Sequence, residues 1–210
     1  MLPKPKTTDR QHRLFPQPIG NHGHVRIALG FLTERLTASL FGGHVLRTDS
    51  RVAYCPDVMV PASLSTGNLP TFLECKAMGK SKGSLIYSGR LEKDKLFAKY
   101  NRLYYVIWEH DLDTLQYQTV EELEVAYLLS IRRIYVMPFR TVARICLTVP
   151  VTKLNSNYGH SDTNPVYGAG YRIPAYKLKA AVRKGQGIAI KWHVEKAAQK
   201  AAQVSKVQVT

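Results

Sequence analysis

Two acidic segments of this chain have the residue types and the spacing to bind a divalent metal ion. Asp57 lies in the strand-like run 54–60, and Glu74 follows seventeen residues later in a second such run, 71–77, with Lys76 two residues beyond it. Charged groups inside apolar strands are costly unless another charge compensates them. Mg²⁺ or Mn²⁺ would do so, because carboxylate oxygens are the ligands that these ions prefer. The pairing predicts a metal-dependent nuclease site; the alternative is an exposed Glu74–Lys76 pair on a surface strand.

The alternation of side chains along a strand decides which of these groups can meet. Glu74 and Lys76 share one face of their strand, whereas Cys75 points to the other. If the two strands pair, Asp57 and Glu74 can converge on one metal ion, and the backbone carbonyl of Cys75 can supply a further ligand. That ion would neutralise a phosphodiester, acidify a bound water and stabilise the leaving oxygen. Lys76 would hold or help to deprotonate the water, because burial lowers the pKa of an ammonium group.

A predicted helix from about residue 24 to 41 precedes these strands. Its apolar residues form one stripe of Val25, Leu29, Leu32, Leu36 and Leu40, and a second of Ile27, Phe31, Ala38 and Phe41. Glu34 falls within the second stripe, so it should face the sheet and act as a second-metal or water-mediated ligand. The alternative for Glu34 is a solvated helix residue. Gly42 and Gly43 end the helix.

Basic residues near the site are expected to bind nucleic acid. An amphipathic helix predicted for residues 90–101 follows the acidic strands, and two lysines precede it. The phosphate-binding candidates are Arg90, Lys93, Lys95, Lys99, Lys80 and Lys82. Lysines on helix surfaces are often only solvated, and this alternative stays open for Lys95 and Lys99.

The order of the remaining elements predicts an α/β fold. The first helix is followed by three strands, a short strand at 84–87, the helix at 90–101 and the apolar run 103–108, which is typical of a buried central strand. A helix is predicted at 120–130 and a strand at 133–137, whereas 139–147 is ambiguous. Such an order implies a mixed central sheet flanked by helices.

Changes in composition along the chain set the expected domain limits. Residues 1–22 are predicted to be a flexible basic arm, residues 23–175 the nuclease domain and residues 176–210 a basic C-terminal tail.

Residues 150–171 are predicted to be a long loop whose tyrosines either stack on bases or pin the loop to the surface. The charged triplet at 109–111 ends an apolar strand and should begin a loop.

The charge balance indicates a polyanionic partner. The 210 residues include 30 Lys and Arg against 15 Asp and Glu, a formal net charge of +15. Such an excess disfavours a compact state through self-repulsion unless a polyanion is bound. Nucleic acid is the first candidate and an anionic membrane surface the second. Because structural RNA binding fits the charge equally well, charge alone indicates no activity.

Cysteine usage and hydropathy favour an intracellular protein. Cys55, Cys75 and Cys146 form no closely spaced pair and no zinc-binding pattern, which fits a reducing cytoplasm. The N-terminal segment has no apolar core typical of a secretory signal. The longest apolar runs are too short to span a bilayer, so we expect a soluble protein and, of the two polyanions, nucleic acid and no membrane as its partner.

The chain resembles the PD-(D/E)xK nuclease superfamily, the restriction-endonuclease-like fold that includes Holliday junction resolvases and many phage nucleases. The resemblance covers about residues 24–109. It rests on a basic helix leading into an apolar strand and on these residues: Glu34, Pro56, Asp57, Glu74, Cys75 and Lys76. It implies Mg²⁺ binding and water activation by Asp57, Glu74 and Lys76. The second half of the chain matches no subgroup of this superfamily.

The expected function is a Mg²⁺- or Mn²⁺-dependent endodeoxyribonuclease that cuts junctions or branched DNA, either as a monomer or as a homodimer. A small, basic chain without a separate recognition domain favours contacts with backbone and shape over readout of bases. One alternative is a restriction-type duplex endonuclease. Another is a noncatalytic nucleic-acid-binding or assembly protein that retains the fold.

Overall fold

A mixed six-stranded β-sheet with helices on both faces forms the centre of the molecule. The computed structural model describes residues 22–46, 55–65, 68–79, 83–112, 119–153 and 169–192. The predicted α/β class and the mixed sheet flanked by helices are confirmed within these ranges. The predicted N-terminal arm, 1–21, lies outside the described residues. No helix in the described part of the chain combines the length and apolarity needed to cross a membrane.

Five α-helices and nine strands make up the described residues. The helices are α1 (His22–Phe41), α2 (Ser88–Phe97), α3 (Val120–Ser130), α4 (Phe139–Cys146) and α5 (Ala175–Arg183). The strands are β1 (His44–Val45), β2 (Val58–Val60), β3 (Thr71–Gly79), β4 (Ser84–Tyr87), β5 (Arg102–His110), β6 (Ile131–Pro138), β7 (Val151–Lys153), β8 (Ala169–Ile173) and β9 (Ile188–Lys191). A 3₁₀ turn, Ala62–Leu64, follows β2.

The central sheet has the strand order β1-β2-β3-β5-β6-β9. Strands β3 and β5 are parallel, with Glu74 opposite Tyr105, and the other neighbouring pairs of this sheet are antiparallel. Helix α2 lies in the connection between β3 and β5, as a parallel pair requires a crossover. A second, antiparallel sheet has the order β4-β8-β7. Strand β5 is therefore central, and it is buried over most of its length.

Two hydrophobic clusters cover the two faces of the central sheet. Helices α1 and α3 pack on one face through residues such as Leu29 and Tyr127, which contact a cluster that includes Cys75 and Trp108. On the other face α2, α4 and α5 pack on a cluster that includes Tyr105. Successive residues of β3 and β5 alternate between the two clusters, as the strand period predicts.

Buried hydroxyl groups fix α1 on its face of the sheet. The Oγ1 atom of Thr33 lies 3.0 Å from the hydroxyl of Tyr127, and Trp108 Nε1 donates to Thr37 Oγ1 at 2.9 Å. Helix α1 ends at Phe41 because Gly42 has a left-handed φ of 66°. The predicted end of the helix at Gly42 is confirmed. Ile27, however, was assigned to an apolar stripe that faces the sheet, and it is 49% exposed.

The predicted boundary at residues 175 and 176 is wrong. Helix α5 contributes the fully buried Leu178, and β9 pairs with β6 in the central sheet, so the chain through residue 192 belongs to the fold. Residues 193–210 of the predicted tail lie outside the described part of the chain. The basic composition of this segment gave no clear signal for α5 and β9, which are short and are stabilised by contacts with residues distant in sequence.

Two smaller predictions are also corrected. Strands β7 and β8 occupy the two ends of the predicted loop at 150–171 and pair with each other, while residues 154–168 are outside the described residues. Glu109 and His110 end β5 as buried residues rather than beginning a loop. Glu109 is tolerated there because it accepts a hydrogen bond of 2.8 Å from the hydroxyl of Tyr135. The ambiguous segment at 139–147 forms α4.

Candidate active site

Pairing of β2 with β3 brings Asp57 next to Glu74. Val58 stands opposite Leu73, and Asp57 precedes Val58, which places it beside Glu74. The Asp57 amide donates to the Leu73 carbonyl at 3.1 Å. In return, the Cys75 amide donates to Asp57 Oδ2 at 2.7 Å. The sequence-predicted acids are thus brought together at one end of β2.

Two cations neutralise Glu74, which is 1% exposed. Lys76 Nζ lies 2.6 Å from Glu74 Oε1, and an Arg90 guanidinium nitrogen donates to Glu74 Oε2. Burial alone would raise the pKa of Glu74, but the charges and hydrogen bonds of Lys76 and Arg90 outweigh it and hold the pKa below its usual range. Glu74 is therefore ionised and accepts hydrogen bonds on both oxygens.

Arg90, at the start of α2, links Glu74 to a second buried acid. Its guanidinium also donates to the Cys55 carbonyl at 3.1 Å, and its Nε lies 3.5 Å from Asp94 Oδ1. Asp94 is fully buried and accepts a hydrogen bond from the Tyr105 hydroxyl. Burial raises the pKa of Asp94 to about 7, although the Tyr105 hydrogen bond lowers it. Arg90 is thus part of the site and not only a surface phosphate contact.

Sequence reasoning missed Asp94 and Tyr105. The available signal was the spacing of Arg90 and Asp94, which places them one helical turn apart and allows an ion pair. Asp94 follows the buried Leu91 by three residues, so it lies on the buried side of α2. Tyr105 could not be connected to Asp94 without knowing how α2 packs against β5.

The environment of Asp57 combines burial with like charge. Burial and the neighbouring Glu74 raise the pKa of Asp57 to about 7, whereas Lys76 and the hydrogen bond from the Cys75 amide lower it. The charge of Glu34 also raises this pKa, so α1 brings Glu34 within electrostatic range of Asp57. Three carboxyl groups, from α1, from the residue before β2 and from β3, therefore interact electrostatically at this end of the sheet, and Glu34 is half-buried.

The state of Lys76 differs from the expectation. A depressed pKa was predicted from burial, but the charges of Glu74 and Asp57 outweigh burial and raise the pKa of Lys76. Lys76 is therefore held as an ammonium group in this arrangement. It can donate hydrogen bonds and offset negative charge, whereas proton abstraction by its amine is disfavoured.

Other predicted residues fall in different places. Cys75 points to the α1 side of the sheet, as predicted, and leaves only its backbone near the carboxylates. Lys93, Lys95 and Lys99 are exposed on or just after α2, and Lys95 lies 3.8 Å from Glu92 in a surface ion pair. Lys80 and Lys82 lie outside the described residues.

The donor set suits a hard divalent cation in type, because it offers carboxylate oxygens and a backbone carbonyl. In the described residues, however, no three side chains of His, Cys, Asp or Glu converge in a way that could hold a metal ion. At Glu74, moreover, Lys76 and Arg90 take both carboxylate oxygens. A metal ion would have to exchange with one of these cations.

Comparison with known proteins adds no identification. A scan against models of protein families gives no match, and a search of curated proteins gives none either.

Proposed function

We propose that this chain is a divalent-metal-dependent nuclease that hydrolyses phosphodiester bonds of DNA at the site formed by Asp57, Glu74 and Lys76. The observation that carries the proposal is the strand register that sets Asp57, just before β2, beside Glu74 of β3, with the lysine ammonium 2.6 Å from Glu74. Two carboxyl groups set side by side in a poorly hydrated place are typical of a functional site, because each raises the cost of ionising the other.

The fold supports the same proposal. A helix, three strands, a crossover helix and a strand parallel to the third follow one another from α1 to β5, with the short β4 inserted before α2. We propose that this arrangement is restriction-endonuclease-like, in keeping with the resemblance to the PD-(D/E)xK superfamily.

Asp57, Glu74 and the Cys75 carbonyl would hold Mg²⁺ or Mn²⁺, with Glu34 acting directly or through water. When bound, the ion supplies charge neutralisation of the phosphate and acidification of a water. Asp57 fits this role because its elevated pKa reflects burial and a repulsion that a cation relieves. Glu74 can bind the ion once Arg90 releases one carboxylate oxygen.

Lys76 would orient the attacking water and offset the charge that develops on the phosphate. It does so as an ammonium group, because Glu74 and Asp57 raise its pKa. Arg90, once released from Glu74, would keep its ion pair with Asp94 and would contact the same phosphate. The net charge of +15, with no separate recognition domain among the described residues, favours junctions or branched DNA over a defined sequence.

One observation favours a second candidate, a noncatalytic nucleic-acid-binding or assembly protein. Both oxygens of Glu74 are already neutralised by protein cations, as they would be in a purely structural ion-pair network. Under this alternative the carboxylates stabilise the fold and no metal is needed.

Cleavage of supercoiled plasmid and of a synthetic four-way junction distinguishes the two candidates. Wild-type protein should cut in Mg²⁺ or Mn²⁺ and not in EDTA. Asp57→Asn and Glu74→Gln should lower the rate by roughly 100-fold or more, because the metal supplies several kcal/mol of transition-state stabilisation. Both variants should still bind the junction in Ca²⁺.

Glu92→Gln is the matched control, because Glu92 is an exposed carboxylate of α2 outside the site. It should cut like the wild type. Absence of metal-dependent cutting by folded wild-type protein on every substrate would reject the nuclease and favour the noncatalytic candidate. Equal activity of wild type and Asp57→Asn would reject the assignment of the site.

A further inference from the structure

A cavity lined mainly by apolar groups, together with two arginines, lies where β5 begins and β6 ends, at a place that the proposed chemistry does not use. Its volume is about 410 Å³, and its walls include Tyr104, Arg140, Arg144 and the turn at 185–188. Cavities that bind small molecules have volumes of roughly 300–1,000 Å³. This cavity is therefore large enough for a ligand of nucleotide size.

The walls of the cavity are fixed before any ligand binds. Thr141 Oγ1 donates to the Gln186 carbonyl at 2.9 Å and ties the turn to α4. The Gln186 amide donates to the Ala181 carbonyl at 3.0 Å and ties the same turn to α5. A Cβ atom on Gly187 would overlap the side chain of the buried Met137, so a larger residue at this position would require that side chain to shift.

Two arginines give the cavity a positive charge. Arg140 and Arg144 are one helical turn apart on α4, and both are exposed. Neither has an ion-pair partner among the described residues, and no described residue lining the cavity is acidic. A guanidinium pair without a carboxylate suits a phosphate group, which it can bind through several parallel hydrogen bonds.

The remaining wall is apolar and partly aromatic. Tyr104 is half-buried, and Ile188, opposite Val136 in the sheet, is 58% exposed. A ring and aliphatic side chains beside two arginines offer a stacking surface next to a phosphate site. That combination matches a nucleotide better than it matches an inorganic anion alone.

The cavity is separate from the carboxylate site. Tyr104 packs on the α1 side of the sheet, whereas the next residue, Tyr105, points to the other face and hydrogen-bonds Asp94. Tyr104 stands opposite Leu73 and Tyr105 opposite Glu74. Tyr104 thus faces away from Glu74, and no described residue that lines the cavity belongs to the carboxylate site.

From this geometry we propose that the cavity is a nucleotide-binding site, in which Arg140 and Arg144 bind the phosphate and Tyr104 contacts the base. The nucleotide is either one unit of a nucleic-acid strand or a free nucleotide. The inference rests on the proposed function in one respect: the nucleic-acid strand that binds in the cavity is taken to be the strand that the carboxylate site cuts. As part of that strand, the nucleotide would anchor it away from the scissile bond.

Binding of a labelled single-stranded oligonucleotide and of deoxyadenosine monophosphate, both in EDTA, tests the proposal. Arg140→Gln with Arg144→Gln should weaken oligonucleotide binding about tenfold or more and should reduce the slope of log K against log salt by roughly 0.7 per lost phosphate contact. Tyr104→Leu should weaken binding about fivefold or more without changing that slope. Thermal unfolding of each variant checks that the fold is kept.

Arg183→Gln with Lys184→Gln is the matched control, because these exposed residues at the end of α5 carry the same charge and do not line the cavity. It should leave the salt slope unchanged. Equal weakening by the control, or no weakening by the arginine pair, would overturn the proposal. A free nucleotide is the ligand if the arginine substitutions also abolish monophosphate binding, and a strand unit is the ligand if wild type binds only the oligonucleotide.

The two proposals can fail separately. Oligonucleotide binding that depends on Arg140 and Arg144, together with no metal-dependent cutting, would keep the cavity and reject the nuclease. Cutting that depends on Asp57 while the arginine pair changes no binding would reject the cavity alone.

Discussion

Arg90 and Lys76 occupy the two oxygens of Glu74, and this charge balance determines what metal binding requires. The cluster described contains the acids Asp57, Glu74 and Asp94 against these two cations. A divalent ion entering the cluster adds positive charge, so the interaction of Glu74 with Arg90 competes with metal binding. Asp57 as well as Glu74 raises the pKa of both Lys76 and Arg90, so each of the two cations keeps its proton in this cluster.

Replacing Arg90 should therefore lower the stability of the metal-free protein and raise its affinity for a divalent ion. Arg90→Gln leaves Glu74 and Asp94 with one cation fewer, and breaking such a pair should lower the free energy of unfolding in EDTA by about 3 kcal/mol. Mg²⁺ or Ca²⁺ should then raise the melting temperature of Arg90→Gln more than that of wild type. Differential scanning fluorimetry with and without the ion measures both effects.

Arg132→Gln is the control, because Arg132 pairs with Asp111 on the surface, where an ion pair contributes less than about 1 kcal/mol. It should change neither the stability nor the response to metal by much. Equal metal responses of wild type and Arg90→Gln would show that Arg90 does not compete with the ion.

His110 should make stability depend on pH between 4 and 6.5. Burial lowers the pKa of His110 from 6.5 to about 4, partly opposed by Asp111, and its Nδ1 accepts a hydrogen bond of 3.2 Å from the Leu112 amide. Between these values the unfolded chain binds a proton that the folded chain does not. Stability is therefore lost as the pH falls from 6.5 toward 4, by about 3 kcal/mol from this group.

Urea unfolding of wild type and His110→Asn at pH 7 and pH 4.5 tests this. The Asn side chain keeps an acceptor near the Leu112 amide and packs beside Tyr127 without titrating. The loss of stability on acidification should be smaller in the variant by roughly 2–3 kcal/mol. An identical loss in both proteins would assign the acid sensitivity to other groups.

At the scale of elements, the apolar periodicity predicted that helix α1 forms and which of its faces is buried. It did not predict which residues of the sheet and of α3 the helix contacts. The stripe of Val25, Leu29 and Leu32 is buried as expected, because an apolar repeat of this period has one way to leave water. The buried Thr33 and Thr37 were not foreseen. Their partners, Tyr127 and Trp108, are more than seventy residues away in sequence, and a lone sequence contains no signal of such a contact.

Thr37 should contribute to the placement of α1, and through it to the placement of Glu34. Thr37→Val is nearly isosteric but leaves the buried Trp108 Nε1 without its acceptor, which should cost about 1–3 kcal/mol. Thr37→Ser keeps the hydroxyl and should cost less. Urea unfolding of the two variants gives the comparison, and equal costs would show that packing of the methyl group, not the hydrogen bond, stabilises the contact.

The acids of the site were predictable for a different physical reason. Charged residues within apolar strands stand out in a sequence, and the two-residue period of a strand fixes which of them share a face. Asp57, Glu74 and Lys76 were found in this way, and the structure brings them together. The roles of Arg90 and Asp94 depend on how α2 packs against β5, which no local pattern encodes.

On the scale of the whole molecule, the sheet is completed by the segment that composition marked as a tail. Strand β9 has four residues, and its pairing with β6 bridges more than fifty positions of sequence. Helix α5 adds Leu178 and Ala181 to the cluster beneath β5 and β6. Short elements with many Lys and Arg residues have a weak apolar signal, so their place in the fold becomes visible only in three dimensions.

Truncation measures how much this segment contributes. A chain that ends after residue 174 loses the buried Leu178, whose removal alone corresponds to about 2–5 kcal/mol, together with the β9 pairing. Because the total stability of a domain is only about 5–15 kcal/mol, we expect this chain to lack cooperative unfolding. A chain that ends after Trp192 keeps both elements and the Trp192 hydrogen bond to the Leu128 carbonyl, and it should unfold cooperatively. Circular dichroism during thermal unfolding compares the two; cooperative unfolding of the shorter chain would restore the predicted boundary at residue 175 and make α5 and β9 accessory to the fold.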